Sequence, residues 1–302
     1  MHALPAPRVP VPRVPAAPAS FLADWLRGHR RIFALSGAGC STASGIADYR
    51  DANGDWKRAP PVTWQAFTGD PATYRRYWAR SAVGWPRFAA AAPNAAHEAL
   101  AGLERAGRLA LLLTQNVDGL HQRAGSVEVL DLHGRLDRVG CLACGTVLAR
   151  AALQDAIEAL NPGWHVAAAA FAPDGDADID AAAVAGFVPP RCDRCGGLLK
   201  PEVVFFGENV PRERIARAKA ALERADAMLV AGSSLMVYSG FRFARMAAEA
   251  GLPLAIVNRG RTRADDLATL RVEGEVGRTL AEAVAALALE PGRGDVATAS
   301  IA

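Results

Sequence analysis

A short apolar run that ends in a glycine turn constrains this chain more than any other feature of its sequence. The run Ile32-Phe33-Ala34-Leu35 predicts a buried strand, and Gly37 and Gly39 follow it, ahead of a helix start. Strand, glycine turn and helix start in this order direct backbone N–H groups and a positive helix end at a phosphate. Thr42 stands where a dinucleotide fingerprint has its third glycine, and no acidic residue closes a second strand about 20 positions on. The turn therefore predicts a nucleotide site, with a tight turn that binds no ligand as the alternative.

Further apolar runs alternate with helical patterns along the chain. Continuous apolar strands are typical of a parallel sheet that is covered on both faces. Strands are predicted at 109–113, 127–132, 203–206, 227–231 and 254–257, and helices at 21–26, 95–108, 151–160, 212–224, 242–250 and 278–289. Aromatic residues within 73–88 fall near helical spacing and predict the core of a small helical module. The alternation predicts an α/β protein with a doubly wound, Rossmann-like parallel sheet.

Small polar residues follow three of the predicted strands, at the place where open α/β sheets bind their ligands. A ribose and a pyrophosphate need hydroxyl, amide and backbone N–H groups with few bulky side chains around them. The three segments are Gln115-Asn116-Val117-Asp118, Gly232-Ser233-Ser234 and Asn258. Together with the glycine turn at 37–41 they predict one crevice for a nucleotide.

His133 is the candidate for acid–base chemistry. It follows a predicted strand and precedes Gly134, so its ring can face a cavity while the backbone stays tight. The pKa of histidine lies near neutrality, which suits a general base that acts on a hydroxyl group. A purely structural histidine is the alternative at this position. His97, within the predicted helix at 95–108, is interpreted as structural.

Two C-x-x-C pairs contain four of the five cysteines, namely Cys141, Cys144, Cys192 and Cys195. In a long chain with few other cysteines, two such pairs fit a four-thiolate zinc site in a reducing compartment better than a disulfide framework. The pairs are 47 residues apart, whereas a compact zinc ribbon has roughly 15–20. We therefore expect a zinc module that carries an insertion.

Composition excludes several other classes of protein. With 51% hydrophobic residues the 302-residue chain can bury a full core, and its net charge of +3 does not indicate nucleic-acid binding. Since no apolar run reaches the roughly 20 residues that span a bilayer, we expect no membrane association and a cytoplasmic location. Prolines are dense within residues 1–20, which predicts a disordered tail, and the segment 291–302 is predicted to be a second one.

Taken together, these motifs resemble those of the sirtuins, which are NAD-dependent protein lysine deacylases. The resemblance runs from about residue 21 to 289 and keeps the family's motif order. It is carried by 37–41 with 45–50, 114–118 with His121, Leu132-His133-Gly134, the two C-x-x-C pairs, 200–208 and 232–235. Details at 77–80, 83–86, 172–176 and 237–240 are similar to the class II branch, which includes sirtuin 4 and bacterial relatives.

The chain is accordingly expected to contain an NAD-binding, Rossmann-like domain with smaller modules inserted. The expected NAD-binding domain comprises residues 21–50, 93–136 and 201–290. A helical module with a cofactor loop is expected at 51–92, and the zinc-binding module at 137–200. The resemblance implies deacylation that releases nicotinamide and O-acyl-ADP-ribose.

The resemblance also implies roles for single residues. His133 and Asn116 are the implied catalytic residues, and His133 deprotonates a ribose hydroxyl. An acyl-lysine protein substrate is implied to lie along Val204, Phe205, Gly207, Glu208 and Val237, and the four paired cysteines hold a structural Zn²⁺. NAD contacts are implied for Gly37, Ala38, Gly39, Ser41, Ile46, Asp48, Tyr49, Arg50, Gln115, Asn116, Asp118, Gly232, Ser233, Ser234, Asn258 and Val276, the last beside the adenine.

Two alternatives to deacylation stay open at this point. One is mono-ADP-ribosyl transfer to protein, and the other is a non-catalytic NAD-sensing interaction protein, against which the presence of His133, Asn116 and Asp118 argues. The chain departs from most relatives at Ala47, where they have proline, and from many at Tyr49, where they have phenylalanine. The sequence indicates neither the acyl chain, nor the protein targets, nor the oligomeric state.

Overall fold

A six-stranded parallel sheet forms the larger part of the protein. The structure is a computed structural model and describes residues 17–57, 61–168, 170–172 and 174–288. In spatial order the strands are β11 (Leu270–Glu273), β10 (Leu254–Asn258), β9 (Ala227–Ala231), β1 (Ile32–Ser36), β2 (Leu109–Thr114) and β3 (Val129–Asp131). Ser36 of β1 pairs with Ala231 of β9 and with Thr114 of β2, so these three strands end side by side.

Helices cover both faces of this sheet, which explains its continuous apolar strands. Ile32 and Ala34 pack into the cluster under α1 (Ala19–Gly28), α4 (Ala95–Arg105) and α10 (Val276–Ala288). Phe33 and Leu35 point to the opposite face, towards α8 (Arg212–Glu223) and α9 (Tyr238–Glu249). Because successive side chains of a strand alternate between faces, both faces of β1 are buried in apolar surroundings.

A second, smaller module is built from helices and a three-stranded antiparallel sheet. The sheet has the order β5 (Val147–Ala149), β4 (Gly134–Cys141), β8 (Leu199–Val203). Its other elements are the helices α2 (Trp64–Gly69), α3 (Pro71–Ala90), α6 (Arg150–Leu160) and α7 (Ala181–Val184), and a hairpin of β6 (Ala170–Phe171) with β7 (Ala177–Asp178). The short helix α5 (Leu120–Arg123) follows β2 and precedes β3 in the chain.

Aromatic side chains of α3 form the core of this module, as their spacing predicts. Tyr74 and Trp78 are buried, and the ring of Phe67 lies 5.0 Å from that of Tyr74. The guanidinium of Arg150 is also buried and lies 4.9 Å from the ring centre of Trp85. Stacking on aromatic rings compensates part of the cost of removing this cation from water.

The structure confirms the predicted α/β class and the parallel sheet, and it corrects several elements. The glycine turn is followed by two 3-10 turns, Ala38–Cys40 and Thr42–Ser44, and not by an α-helix. The strand predicted at 203–206 is wrong except for Val203, which ends β8, a strand that pairs antiparallel with β4 in the small sheet. The sequence reasoning missed β4, β5, β6, β7 and β11 altogether, and β4 and β8 extend across the domain boundaries expected near residues 136 and 201.

The chain ends are only partly described. Helix α1 begins at Ala19, two residues inside the tail predicted at 1–20, while residues 1–16 and the predicted tail at 291–302 lie outside the described residues. Within the described ranges, no helix has the length and apolar character needed to cross a membrane.

Gly84, within α3, should tolerate no side chain. A Cβ added there would overlap the carbonyl oxygen of Gly175 in the turn between β6 and β7. We expect Gly84→Ala to lower the free energy of unfolding in urea by roughly 1–3 kcal/mol, the usual range for overpacking. Gly102→Ala in α4 is the matched control, because its Cβ would lie 3.7 Å from Val284 in ordinary contact. The control should stabilise the protein by up to about 1 kcal/mol; equal effects of the two variants would contradict this packing.

Candidate active site

Three glycines bring the loops after β1 and β9 into direct contact. The Gly39 N–H donates to the carbonyl oxygen of Gly232 over 2.8 Å, and Gly37 N–H donates to that of Ala231 over 3.0 Å. A Cβ on Gly37 would lie 2.7 Å from Cβ of Ser233, and one on Gly39 would lie 2.9 Å from Cα of Gly232. Gly232 itself has a φ of 61°, in the left-handed region that favours glycine. The glycines form a cradle without side chains at the carboxyl ends of the strands.

A cavity of about 400 Å³ extends from this cradle towards the small module. All but one of the residues with an implied NAD or substrate contact line this cavity, and so does His133. The lining residues are Gly37, Ala38, Gly39, Ser41, Ile46, Asp48, Tyr49, Arg50, Gln115, Asn116, Asp118, Gly232, Ser233, Ser234 and Asn258, together with Val204, Phe205, Gly207, Glu208 and Val237. Val276 lies elsewhere: it begins α10 and packs in the apolar core with Leu280. Its contact with an adenine stays a prediction.

A buried hydrogen-bond network orients the polar groups beside the cradle. The Asn116 amide donates to Gly37 O over 3.1 Å and to Ser41 Oγ over 3.0 Å. Ser41 Oγ in turn donates to Asp118 over 2.7 Å, which holds the carboxylate in place. His97 also contacts this network, because its Nε2 lies 3.4 Å from Ser41 Oγ. Its Nδ1 accepts from the Asn94 N–H and caps α4, so His97 is structural as predicted and also contacts this network.

His133 is held as a neutral base. Its Nδ1 lies 3.1 Å from the carbonyl oxygen of Gln115, which can only accept, so Nδ1 carries the proton. Nε2 then carries the lone pair, which accepts a hydrogen bond from Ser239 Oγ over 2.7 Å. Burial is the main cause that lowers the pKa of His133 to about 4, with a further contribution from the charge of Arg214. Near neutral pH the imidazole is therefore neutral, and Nε2 is the atom that can accept a proton.

The cofactor loop, residues 46–57, closes one side of the cavity. Asp48 forms an ion pair with Lys57, and the guanidinium of Arg50 lies 4.0 Å from the ring centre of Trp56. Arg50 also donates to Gly54 O over 2.7 Å. The Trp56 ring contacts that of Phe206 at 5.7 Å, which links the loop to the segment after β8. The loop thus connects the cradle with the expected substrate side.

The four paired cysteines meet in the small module, where Cys141 ends β4, the strand that begins directly after His133. Their Sγ atoms all lie within 4.8 Å of one another, with 3.5 Å between Cys141 and Cys195 and 3.7 Å between Cys144 and Cys192. Tetrahedral zinc with Zn–S bonds of about 2.3 Å places its sulfurs about 3.8 Å apart. The cluster therefore fits Zn²⁺, and four thiolates leave no open position for catalysis. The fifth cysteine, Cys40, is buried in the large core, where burial raises its pKa to about 12.

Sequence reasoning missed some residues that the structure brings to the cavity. Ser239 donates a hydrogen bond to His133. Sequence reasoning had noted this serine only as part of 237–240, a stretch that is similar to the class II branch. Tyr77 and Asp174 line the cavity, although they come from α3 and from the turn between β6 and β7. The sequence placed Tyr77 among the aromatic residues of the helical module and Asp174 in an acidic run, and neither signal pointed to the cavity, because these contacts depend on how the insertion folds back.

One cavity thus joins a neutral imidazole, that of His133, to a glycine cradle. This arrangement is typical of an enzyme that acts on a nucleotide. The Sir2 family model matches residues 37–239, two thirds of the chain. The chain therefore belongs to the Sir2 family.

Individual relatives agree with this assignment. The chain is 62% identical over 260 residues to an NAD-dependent protein deacetylase of Xanthomonas campestris pv. campestris (strain 8004), covering 86% of this chain and 89% of the relative. It is 58% identical over 263 residues to an NAD-dependent protein deacetylase of Bordetella bronchiseptica, covering 87% and 96%. Among solved structures, a Sir2 protein with a p53 peptide and NAD⁺ has a TM-score of 0.72 at 32% identity, covering 91% of this chain and 100% of that one. A Sir2 homologue with NAD has a TM-score of 0.68 at 32% identity, covering 89% and 93%.

The ring of His133 should titrate far below the ordinary histidine value of 6.5. Because its folded-state pKa is lowered to about 4, the ring stays neutral as the pH falls through 6.5 and takes up a proton only near pH 4. NMR titration of histidine-labelled protein measures this directly, and His133→Asn identifies the signal. A midpoint near 6.5 for that signal would show that the cavity does not desolvate His133.

Removal of one cysteine should empty the metal site. We expect Cys192→Ser to reduce bound zinc from one ion per chain to almost none and to lower the melting temperature, because a serine hydroxyl replaces a thiolate ligand. Zinc is measured on the purified protein by atomic emission, and melting by circular dichroism. Cys40→Ala, which removes a buried thiol outside the cluster, should keep its zinc. Unchanged zinc in Cys192→Ser would reject the four-cysteine site.

Proposed function

We propose that this protein is an NAD-dependent protein lysine deacylase that produces nicotinamide and O-acyl-ADP-ribose. One observation carries the proposal: His133, whose Nε2 is unprotonated, and the glycine cradle line the same cavity. The names of the Xanthomonas and Bordetella relatives give the same activity, with proteins as substrates. Neither ADP-ribosyl transfer to protein nor a non-catalytic role has a separate feature of the site in its favour.

The cavity suits NAD in shape and in chemistry. The cradle at Gly37, Gly39 and Gly232 leaves no room for a Cβ and can accept a pyrophosphate against backbone. Hydroxyl and amide groups of Ser233, Ser234 and Asn258 face the same cavity and suit the riboses. We place the nicotinamide group among Ile46, Asp48, Asn116 and Asp118, where a carboxylate can accept from a carboxamide. Bound NAD supplies a nicotinamide leaving group and the ADP-ribosyl group that takes up the acyl chain.

His133 supplies the base. Its Nε2 would take a proton from a ribose hydroxyl, because Nδ1 is already protonated and held by Gln115 O. The hydrogen bond from Ser239 fixes the ring plane before substrate binds. Since the surroundings disfavour the imidazolium form, the proton would be passed on readily once the hydroxyl has reacted.

The substrate side is the stretch after β8. Val204 N–H donates to the carbonyl oxygen of His133 over 2.8 Å, so the wall that we assign to acyl-lysine is fixed directly to the base. We propose that the peptide backbone adds as a strand between residues 207–209 and the segment after Leu235, an arrangement that tolerates many sequences. A solved relative holds a p53 peptide, in agreement with a protein substrate.

We further propose that the chain belongs to the class II, sirtuin 4-like branch and works in a reducing cytoplasm. The branch is supported by the stretches 77–80, 83–86 and 172–176. The compartment is supported by the four cysteines, which bind zinc only as thiolates.

An assay with NAD and acyl-lysine peptides tests the proposed activity. We expect nicotinamide release that depends on the acyl group, with O-acyl-ADP-ribose detected by mass spectrometry. His133→Asn should reduce turnover by about 100-fold or more, with NAD affinity changed only slightly because the cradle is intact. His165→Asn replaces an exposed histidine and is the matched control. Absence of acyl-dependent nicotinamide release by the unmodified protein, over a broad panel of acyl chains, would reject the proposal; labelled protein without acyl dependence would point to ADP-ribosyl transfer.

A further inference from the structure

Three arginine side chains surround the ring of Tyr238, the first residue of α9. The guanidinium groups of Arg242, Arg245 and Arg263 lie 5.2, 5.7 and 5.8 Å from the centre of this ring. We call these three residues the arginine cluster. Tyr238 is 45% exposed, so its ring holds the three cations together at the protein surface. The cluster therefore concentrates positive charge at the start of α9.

Little negative charge offsets the arginine cluster. Glu249 Oε1 lies 3.4 Å from Arg245 Nε in an exposed pair, and such pairs are weak in water. The Nε of Arg242 is shielded from solvent and has no hydrogen-bond partner among the described residues. The side chain of Arg263 donates to a neutral group, the carbonyl oxygen of Met236, over 3.3 Å. In the described part of the protein, one carboxylate thus pairs with three guanidinium groups.

The arginine cluster borders the groove in which we placed the substrate peptide. One wall of that groove is the segment after Leu235, and residues 236–239 line the cavity. Arg242 lines it as well. Arg263 holds the wall in place, because its backbone N–H donates to Ser234 O over 2.8 Å, in addition to the side-chain bond to Met236. A peptide along this wall would pass directly beside the cluster.

The opposite wall of the groove adds no net negative charge. Its residues 207–209 include Glu208, whose Oε2 is paired with Lys200 Nζ over 2.9 Å. Helix α8 follows, and its first turn has Arg212 and Arg214 with a single acidic residue, Glu213. Both borders of the groove are therefore positive on balance, which favours a negatively charged partner.

We propose that the arginine cluster selects protein substrates that have aspartate or glutamate close to the acyl-lysine. This inference rests on the proposed deacylase function and on the proposed position of the peptide. An extended chain rises about 3.3 Å per residue, so residues within three positions of the acyl-lysine lie within roughly 10 Å of it. Their carboxylates can reach guanidinium groups at the border of the groove, and arginine binds carboxylates in a paired geometry. Backbone hydrogen bonds hold any sequence in the groove, and the cluster favours the acidic ones among them.

Three acetyl-lysine peptides test this preference. In the first, glutamines flank the acetyl-lysine on both sides; in the second, glutamates replace the glutamines on the amino-terminal side, and in the third on the carboxyl-terminal side. At low salt we expect kcat/KM of the unmodified enzyme to be about fivefold higher for at least one acidic peptide than for the glutamine peptide, from two or three weak ion pairs. High salt should remove most of this advantage, because it screens exposed charges.

Two variants assign the preference to the cluster. Arg245→Gln changes an exposed side chain and should reduce the ratio of acidic to glutamine peptide, and the double variant Arg245→Gln with Arg263→Gln should bring it towards one. Arg30→Gln with Arg31→Gln is the matched control, because it removes two exposed charges directly before β1, at the opposite edge of the sheet. The control should keep the ratio of the unmodified enzyme.

The glutamine peptide separates this preference from folding and from the proposed function. Its turnover by each variant shows that the variant folds, and the salt dependence of the unmodified enzyme needs no variant at all. Equal or poorer use of both acidic peptides, an advantage that persists at high salt, or an unchanged ratio in the double variant would each overturn the role of the cluster. Inactivity of the unmodified enzyme on all three peptides would instead reject the deacylase function.

Discussion

No side chain fits between the loop that follows β1 and the loop that follows β9, and the rest of the site depends on that contact. The Gly39 N–H to Gly232 O hydrogen bond joins the two loops over 2.8 Å, and a Cβ on Gly232 would lie 2.5 Å from the backbone nitrogen of Cys40. The parallel register brings the end of β2 to the same edge, so the Asn116 amide can reach Gly37 O. Backbone contact at one point therefore fixes the position of polar side chains from three strands.

Buried polar groups beside the cradle and in the turn between β6 and β7 differ in how completely they are hydrogen-bonded. Beside the cradle, Ser41 Oγ accepts from Asn116, donates to Asp118 and contacts His97, so its hydrogen-bonding capacity is used. In the turn between β6 and β7, Asp176 keeps one buried oxygen without a hydrogen-bond partner in the described part of the protein. An unsatisfied buried polar group costs about 1–3 kcal/mol, and more when it is charged. Arg80 offsets part of this cost, because its Nε lies 3.9 Å from the second carboxylate oxygen of Asp176.

The sequence predicts those parts of the fold and site whose signal is local. Continuous apolar runs located β1, β2, β9 and β10, and the spacing of C-x-x-C pairs grouped four cysteines that the structure places within 4.8 Å. Strand β4 was missed because Arg135, Asp137 and Arg138 interrupt its apolar residues, as expected for a strand of a small, partly exposed sheet. The contact of Ser239 with His133 joins residues 106 positions apart, and no local pattern encodes it. The position of Asp174 depends likewise on the packing of the β6–β7 turn against Gly84 and Phe88.

The zinc cluster and the base belong to one continuous structure, although they do not touch. Strand β4 begins at Gly134, directly after His133, and ends at Cys141, a member of the cluster. Strand β8 pairs with it and leads into Val204, whose N–H donates back to the His133 carbonyl oxygen. The metal fixes one end of this strand pair, and the other end holds His133, the proposed base, and the adjoining wall of the cavity. A structural zinc in this position stabilises the surroundings of His133 through the backbone hydrogen bonds of two strands, because a shift of the pair at the cysteines would displace His133 from Ser239 and Gln115.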